Sequence, residues 1–383
     1  MTESMKTCSR CIMDETVPGM RFDAQGVCHL CYVQDRLNRT YSIEQDLEKE
    51  KRFHLMVEAI KAEGKGKPHD CIVMISGGSD SSYTLYMAKK LGLRPLAYHF
   101  DNGWVSDIAR ENISRITSKL GVPVRELSYP WEKLREAYVA SLKASIPEVC
   151  LPCLVATWSL SYKAAAREGI RYIIQGFSPT TEGIAPLKWS YVEGRYLEAV
   201  IKRHGTREAL EAVRDFNRLK ALDILYHTLV RRTKIIMLPI YLDWDDRRIN
   251  ELLKRELGWV DGGKHSDCFY TPFRNYVIWK KFGYELRKQA PAALVRSGRI
   301  TRADALKFFA ENPMSEDPAR TEAVLGRLGL SRAEFDRILA EPRRSFADFP
   351  TYYPMIRILK PVIRWLARRG LIAEFVYDKY FEV

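Results

Sequence analysis

The stretch CIVMISGGSDSSYTLYMAKKL, residues 71–91, admits few local folds. Its opening apolar run, 71–75, carries the β-branched bulk of Ile72, Val73 and Ile75 that suits a buried strand. The run breaks at Ser76-Gly77-Gly78, where two glycines open dihedrals closed to other residues. From Ser81 the spacing turns helical, with Tyr83, Tyr86 and Met87 one turn apart, and Gly92 ends the helix. A glycine-and-serine turn between strand and helix aims backbone N–H groups and the positive end of the helix dipole at one spot. That spot is an anion site.

The same alternation continues downstream. A strand is expected at 95–100, closed by Asp101-Asn102-Gly103-Trp104, then a helix at 106–120 ended by Gly121 and a strand at 122–127. A helix at 154–168 and a strand at 171–175 follow, and 235–242 is strand-like. This rhythm predicts an α/β fold, a Rossmann-like, doubly wound parallel sheet. Ligands bind such sheets at the carboxyl ends of the strands, which positions Asp101 for adenosine recognition or for capping its own turn. The charged segment 195–222 is expected to be helical, as a lid over a substrate.

Eight cysteines in a chain whose start, MTESMKTCSR, has no apolar signal region argue for metal ligation in a cytoplasmic protein rather than for disulfides. Only Cys71, inside the first strand, has the position of an ordinary core residue. Cys8-x2-Cys11 and Cys28-x2-Cys31 are separated by sixteen residues. Two such knuckles make the four-thiolate shell of a structural Zn2+ site, with turns at Pro18-Gly19 and Gln25-Gly26 and with His29 a bystander. The expected organisation is a zinc ribbon at 1–35, a helical linker at 36–68, a nucleotide domain at 69–283 and a helical region at 284–383. No run reaches the length of a membrane span. The net charge of +13 suits an anionic partner (nucleotide, sugar nucleotide, RNA or membrane surface) or an ordinary solvated basic exterior.

The anion loop is not the common P-loop, because no lysine follows its glycines. SGGSDS instead resembles the pyrophosphate loop of the ATP-pyrophosphatase (PP-loop) superfamily. The resemblance implies that ATP is split between its α and β phosphates and that an oxygen is activated as an adenylate. Ser76, Gly77, Gly78, Ser79, Asp80, Ser81 and Ser82 would hold the pyrophosphate, with Asp80 near Mg2+ and with Asp101 and Gly176 in the ATP site. The succession CSRCIMDETVPGMRFDAQGVCHLC, VMISGGSDSS, FDNGW, QGFSPTTEGIAP, GGKH and SGRITRADAL resembles the N-acetyl sugar amidotransferases over nearly the whole chain. That family implies conversion of an acetamido group on a bacterial surface sugar, as in lipopolysaccharide biosynthesis, into an acetamidino group. The substrate would be a nucleotide sugar, and ammonia would come from a glutaminase partner through a synthase-like subunit. Glu182 would orient the substrate, and Lys188 and Lys264 would stabilise the oxyanion.

Two places depart from that family: Cys150-Leu151-Pro152-Cys153, and Ser266-Asp267-Cys268 after GGKH. A CxxC pair plus one distant cysteine resembles the tRNA thiolation branch of the superfamily, where three cysteines hold a 4Fe-4S cluster. Cys150, Cys153 and Cys268 therefore read as cluster ligands, as a zinc site completed by His265, or as buried thiols. Sulfur transfer is thus a second enzymatic reading. A third, an RNA-binding ribbon protein, lacks an arginine- and aromatic-rich recognition motif. Thr301 opens a helix in a capping-box variant with Asp304. A last basic amphipathic helix at 355–369, weakened by Pro361, is expected to pack on the body of the protein, the other reading being an anionic membrane surface.

Overall fold

The computed structural model describes residues 5–41, 46–217, 219–263, 267–369, 372 and 374–381. Strands β1 (Cys71–Met74), β2 (Pro95–Asp101), β3 (Val124–Ser128), β4 (Tyr172–Gln175) and β5 (Lys234–Met237) form one parallel sheet ordered β3-β2-β1-β4-β5. Val73 sits opposite Ala97 on β2 and Ile174 on β4. Alternation along β1 explains why the sheet is covered on both faces. Cys71, Val73 and Ile75 join a core with Leu85, Ile113 and Ile116 of helices Ser79–Lys90 and Asp107–Leu120. Ile72 and Met74 join the opposite core with Ala164 and Ala165 of helix Leu151–Glu168. Each fully buried aliphatic side chain contributes about 1.5–3 kcal/mol, so the apolar run commits this segment to the central strand. Strand order reverses between β1 and β4, and the glycine loop leaves β1 at that switch point.

Several elements differ from expectation in their limits. The helix expected at 154–168 starts at Leu151, because Pro152 fits a first-turn position where its missing N–H has no partner to lose. The strand-like run at 235–242 ends at Met237; Leu238–Tyr241 is a 3-10 turn with Pro239 near its start. Helix Trp131–Lys143, not anticipated from the sequence, buries Leu134, Ala137, Tyr138 and Leu142. Against it pack the two helices of the segment expected as a lid, Gly194–His204 and Arg207–Phe216. They bury Leu197, Val200, Ile201, Val213 and Phe216, so this charged segment is part of the core wall. Thr301 caps helix Arg302–Glu311 by accepting from the Asp304 amide at 3.0 Å, but the Asp304 carboxylate takes the Thr301 hydroxyl, so only half of the box forms there. The last helix is broken in two, Tyr353–Ile358 and Lys360–Arg368, just before Pro361, and Ala367 is its one buried residue among those described. The expected packing of its apolar face on the body is not what forms.

The two N-terminal knuckles close on one another. Thr7 bridges Asp14, and Phe22 bridges Cys28, both antiparallel. Cys8 and Cys31 Sγ are 3.8 Å apart, and Cys28 Sγ is 3.6 Å from both Cys11 and Cys31. Four thiolates about 2.3 Å from one Zn2+ stand about 3.8 Å from each other, so the spacing is that of a single ion's shell. A 4Fe-4S cluster would spread its thiolates over separate irons, farther apart. The amides of Arg10, Cys11 and Cys28 donate to Cys8 Sγ at 3.4, 3.3 and 3.2 Å, as outer hydrogen bonds to a metal-bound thiolate do. His29 Nδ1 accepts from the Arg21 amide, which makes it a bystander.

The ribbon is also tied to distant helices. Arg296 is buried with Nη2 3.5 Å from Cys11 Sγ, and Arg302 donates to the carbonyls of Cys8 and Cys11. Lys288 pairs with Asp14 at 2.6 Å. Structural zinc supplies about 10–16 kcal/mol to small sites, comparable to the 5–15 kcal/mol by which whole proteins are stable. Metal analysis of purified protein is therefore expected to find one zinc per chain, and Cys31→Ser to lose soluble expression. Zinc-free protein with an unchanged melting temperature would contradict this.

Candidate active site

Between β1 and helix Ser79–Lys90 the chain can turn only with glycine. Gly77 has φ +84°, and a Cβ there would overlap the Ala109 carbonyl oxygen and lie 2.8 Å from Ala109 Cα. The Gly77 carbonyl accepts from Asn112 Nδ2 at 3.2 Å and Trp259 Nε1 at 3.0 Å, so the loop's own acceptor is occupied. Ser81 Oγ accepts from the Ser76 amide at 3.0 Å, and Ser76 Oγ lies 3.1 Å from it. Ser79 Oγ donates to Asp80 Oδ1 at 3.2 Å. The Ser82 hydroxyl is buried with no partner among the described residues. Gly176, just past β4, presses its backbone on the same helix start, since a Cβ there would lie 2.7 Å from Ser81 Cα. Ser76, Gly77, Gly78, Ser79, Asp80, Ser81, Ser82 and Gly176 thus form one contiguous cradle at the helix N-terminus, the geometry of an anion site.

The turn after β2 lies beside it. Asp101 accepts from the Gly103 amide at 2.9 Å and from Arg110 Nη2 at 2.7 Å. Burial pushes its carboxyl up, but these two bonds outweigh it and leave it below the usual carboxylate range. Asn102 donates to Cys153 Sγ at 3.3 Å. Cys268 bridges Val105, and the carbonyl of Asp267 accepts from the Ser106 amide at 3.2 Å. Asp267 Oδ2 lies 3.3 Å from where a Gly78 Cβ would stand, so a carboxylate lies directly against the glycine loop.

Cys150 precedes helix Leu151–Glu168, and Cys153 lies in its first turn. The Tyr138 hydroxyl is held well above its usual range, by burial and then by the charges that Cys153, Cys150 and Cys268 would carry. Burial likewise raises the three thiols, Cys268 to about 11. Among the described residues only the ribbon cysteines close to single-ion spacing, so these three do not form a zinc-type shell.

Lys188 is exposed and lines a 210 Å³ cavity with Pro18 of the ribbon, Tyr284, Arg343 and Arg344. Glu182 ends the short helix Pro179–Glu182, its carbonyl accepting from Gln289 Nε2 at 3.0 Å. Lys264 and His265 lie outside the described residues. Sequence reasoning missed Asp267, Asn112 and Trp259 as neighbours of the loop. Asp267 adjoins the cysteine motif, which could have drawn attention to it; Trp259 carries no local signal.

Replacing Gly77 with Ala is expected to cost at least about 1–2 kcal/mol from the left-handed backbone alone, with the Ala109 overlap added. Thermal unfolding checks this, and ATP binding by calorimetry should fall with it.

Residues 264–362 match the family model described as LPS biosynthesis protein WbpG-like, C-terminal domain. An uncharacterised protein of Methanocaldococcus jannaschii is 25% identical over 221 residues, 57% of this chain and 71% of that protein. A probable tRNA sulfurtransferase of Methanothermobacter thermautotrophicus is 25% identical over 134 residues, so the match spans only 33% of either chain. A crystal structure described as a predicted subunit of a tRNA methyltransferase from Methanocaldococcus jannaschii aligns at a TM-score of 0.31 and 14% identity, over 57% of this chain and 90% of that one. Residues 264–362 thus match a WbpG-like C-terminal domain, in a chain whose SGGSDS loop lies at the switch point of a parallel sheet.

Proposed function

We propose that the protein is an ATP-dependent, AMP- and pyrophosphate-forming amidotransferase that converts the N-acetyl group of a nucleotide sugar into an acetamidino group, in surface polysaccharide biosynthesis. The observation that carries the reading is the glycine cradle at the sheet's switch point, joined through Asp267 to a stretch of WbpG-like sequence. The amide oxygen attacks the α phosphorus and pyrophosphate leaves. Ammonia then adds to the activated carbon and AMP departs with the former amide oxygen. An amide oxygen is a poor leaving group and AMP a good one, which is why the adenylate is needed.

The loop amides and serine hydroxyls bind the leaving pyrophosphate, and Asp80 and Asp267 are the carboxylates available to hold Mg2+. Magnesium there would offset charge on the departing phosphates. The family resemblance implies oxyanion stabilisation for Lys188 and Lys264 and substrate orientation for Glu182, although Lys188 lines a cavity beside the ribbon rather than the cradle. A glutaminase partner and a synthase-like subunit would deliver the ammonia.

One observation favours a second reading, sulfur transfer: Cys153 accepts from Asn102 and Cys268 bridges Val105, both in the turn after β2, and Cys150 stands at the start of the helix that carries Cys153. They are the ligand set for a 4Fe-4S cluster, which would supply an open iron able to bind sulfide. Turnover with an N-acetylated nucleotide sugar and ammonium is expected to release AMP and pyrophosphate, and Asp80→Ala to abolish it. Release of ADP and phosphate would refute the assignment of the loop. Protein prepared anaerobically is expected to be brown and to lose its visible absorption in Cys153→Ser; a colourless, iron-free preparation would remove the cluster. Mass analysis of parallel incubations with ammonium and sulfide separates the two readings: NH in place of oxygen supports the amidotransferase, sulfur in place of oxygen supports thiolation.

A further inference from the structure

The segment 349–373 contains five cations, Arg357, Lys360, Arg364, Arg368 and Arg369, and no carboxylate. In its two helices and the turn residue Leu359 between them, Met355, Ile358, Leu359, Val362 and Trp365 recur at the spacing of one helix face. That face is open to solvent: Ile358 is 79% exposed, Trp365 52% and Val362 51%. Apolar groups of this size in a row rarely stay uncovered.

The chain's own packing falls on the other side of the helix. Lys360, Arg364 and Ala367 form a stripe that faces helix Glu374–Phe381. Arg364 donates to the Tyr377 hydroxyl at 2.8 Å, Lys360 Nζ lies 5.2 Å from the Phe381 ring centre, and Ala367 is buried. Val362 points about 200° away from both cations at 100° per residue. The terminal helix is in turn anchored to the ribbon helix by Arg36 and Asp378 at 2.7 Å. The segment is therefore held to the body by its cationic side, with the apolar face turned outward. At the edge of that face Trp365 lies under Arg369, whose guanidinium is 5.3 Å from its ring centre. An aromatic at the rim, cations flanking it and aliphatic residues in the middle match the layers of a bilayer surface: headgroup phosphates outside, acyl chains within. A nucleic acid would use the cations but leave Ile358 and Val362 uncovered. No described helix is long and apolar enough to cross a membrane, so contact of this kind is peripheral.

We propose that residues 353–369 dock the protein on an anionic membrane surface, with Met355, Ile358, Leu359, Val362 and Trp365 inserted at the headgroup boundary. This surface is independent of the reaction at the glycine loop. Sedimentation of the full chain with mixed phosphatidylglycerol–phosphatidylcholine vesicles, against pure phosphatidylcholine, tests it. Binding is expected only to the anionic vesicles, weakening as salt is added, with a blue shift of tryptophan emission that Trp365→Phe diminishes. Ile358→Asp with Val362→Asp should abolish binding. Arg357→Gln with Arg368→Gln, which leaves the apolar face intact, should weaken it about thirty-fold. Leu222→Asp with Leu229→Asp, on a different exposed helix face, should leave it unchanged. Equal binding to neutral vesicles, or loss of binding only in the Leu222/Leu229 variant, would overturn the proposal. So would a dimer that dissociates in the Ile358/Val362 variant without any vesicle binding, which would give the face to a second copy of the chain.

Discussion

Everything at the carboxyl edge of the sheet depends on two places where backbone meets backbone. Gly77 lies against Ala109 at the start of helix Asp107–Leu120, and Gly176 lies against Ser81 at the start of helix Ser79–Lys90. A side chain at either point would overlap backbone and force the helix start and the glycine loop apart. Because neither has one, the loop amides, the first turn of the helix and the end of β4 converge on a single spot. Close packing of this kind is a geometric condition on the site, and it is met before any ligand arrives.

The ribbon extends that condition to the far end of the chain. Its helix, His29–Tyr41, carries Gln34, whose amide reaches the Thr180 carbonyl at 3.4 Å and Ser297 Oγ at 3.3 Å. Thr180 sits in the motif that follows β4, four residues after Gly176. A four-thiolate knot thus braces the connection that closes the cradle, while Arg296 and Arg302 bind the same knot to the C-terminal helices. Burying Arg296 without charge compensation would cost several kcal/mol. Thiolates of the knot bound to a metal would be that compensation, and would couple metal binding to the folding of helices Gln289–Arg296 and Arg302–Glu311.

Much of this was legible in the residues. Strand–loop–helix order, Gly121 as a left-handed cap at φ +59° and the two CxxC knuckles all follow from local rules that the fold has no reason to override. The rest depended on tertiary contacts. Helix Trp131–Lys143 hides behind a tryptophan and mixed charges, and its meaning comes from the two helices packed on it. Polar residues at 195–222 suggested a lid because the buried stripe of Leu197, Val200, Val213 and Phe216 is spread across two short helices. The apolar face at 353–369 looked like a packing surface; which side faces the body is decided by Tyr377 and Phe381, twenty residues on. Asp267 could not be placed at the loop without knowing that Cys268 pairs with Val105.

The described part of the stretch that matches the WbpG-like family runs from Asp267, beside the cradle, into the outward-facing helices. Asp267 and Cys268, near its start, lie against Gly78 and Val105, so this stretch finishes a site whose loop belongs to the sheet. Its first two long helices, Thr271–Phe282 and Gln289–Arg296, pack on the ribbon through Ile278 and Ala292. The C-terminal third is thus the element through which ribbon, cradle and exposed apolar face are joined. A change that loosened the ribbon would move Arg296 and its helix before it reached Asp267. Cradle and ribbon are therefore linked by packing through this stretch, and the metal site is expected to act on the active site as a brace rather than as a participant in its chemistry.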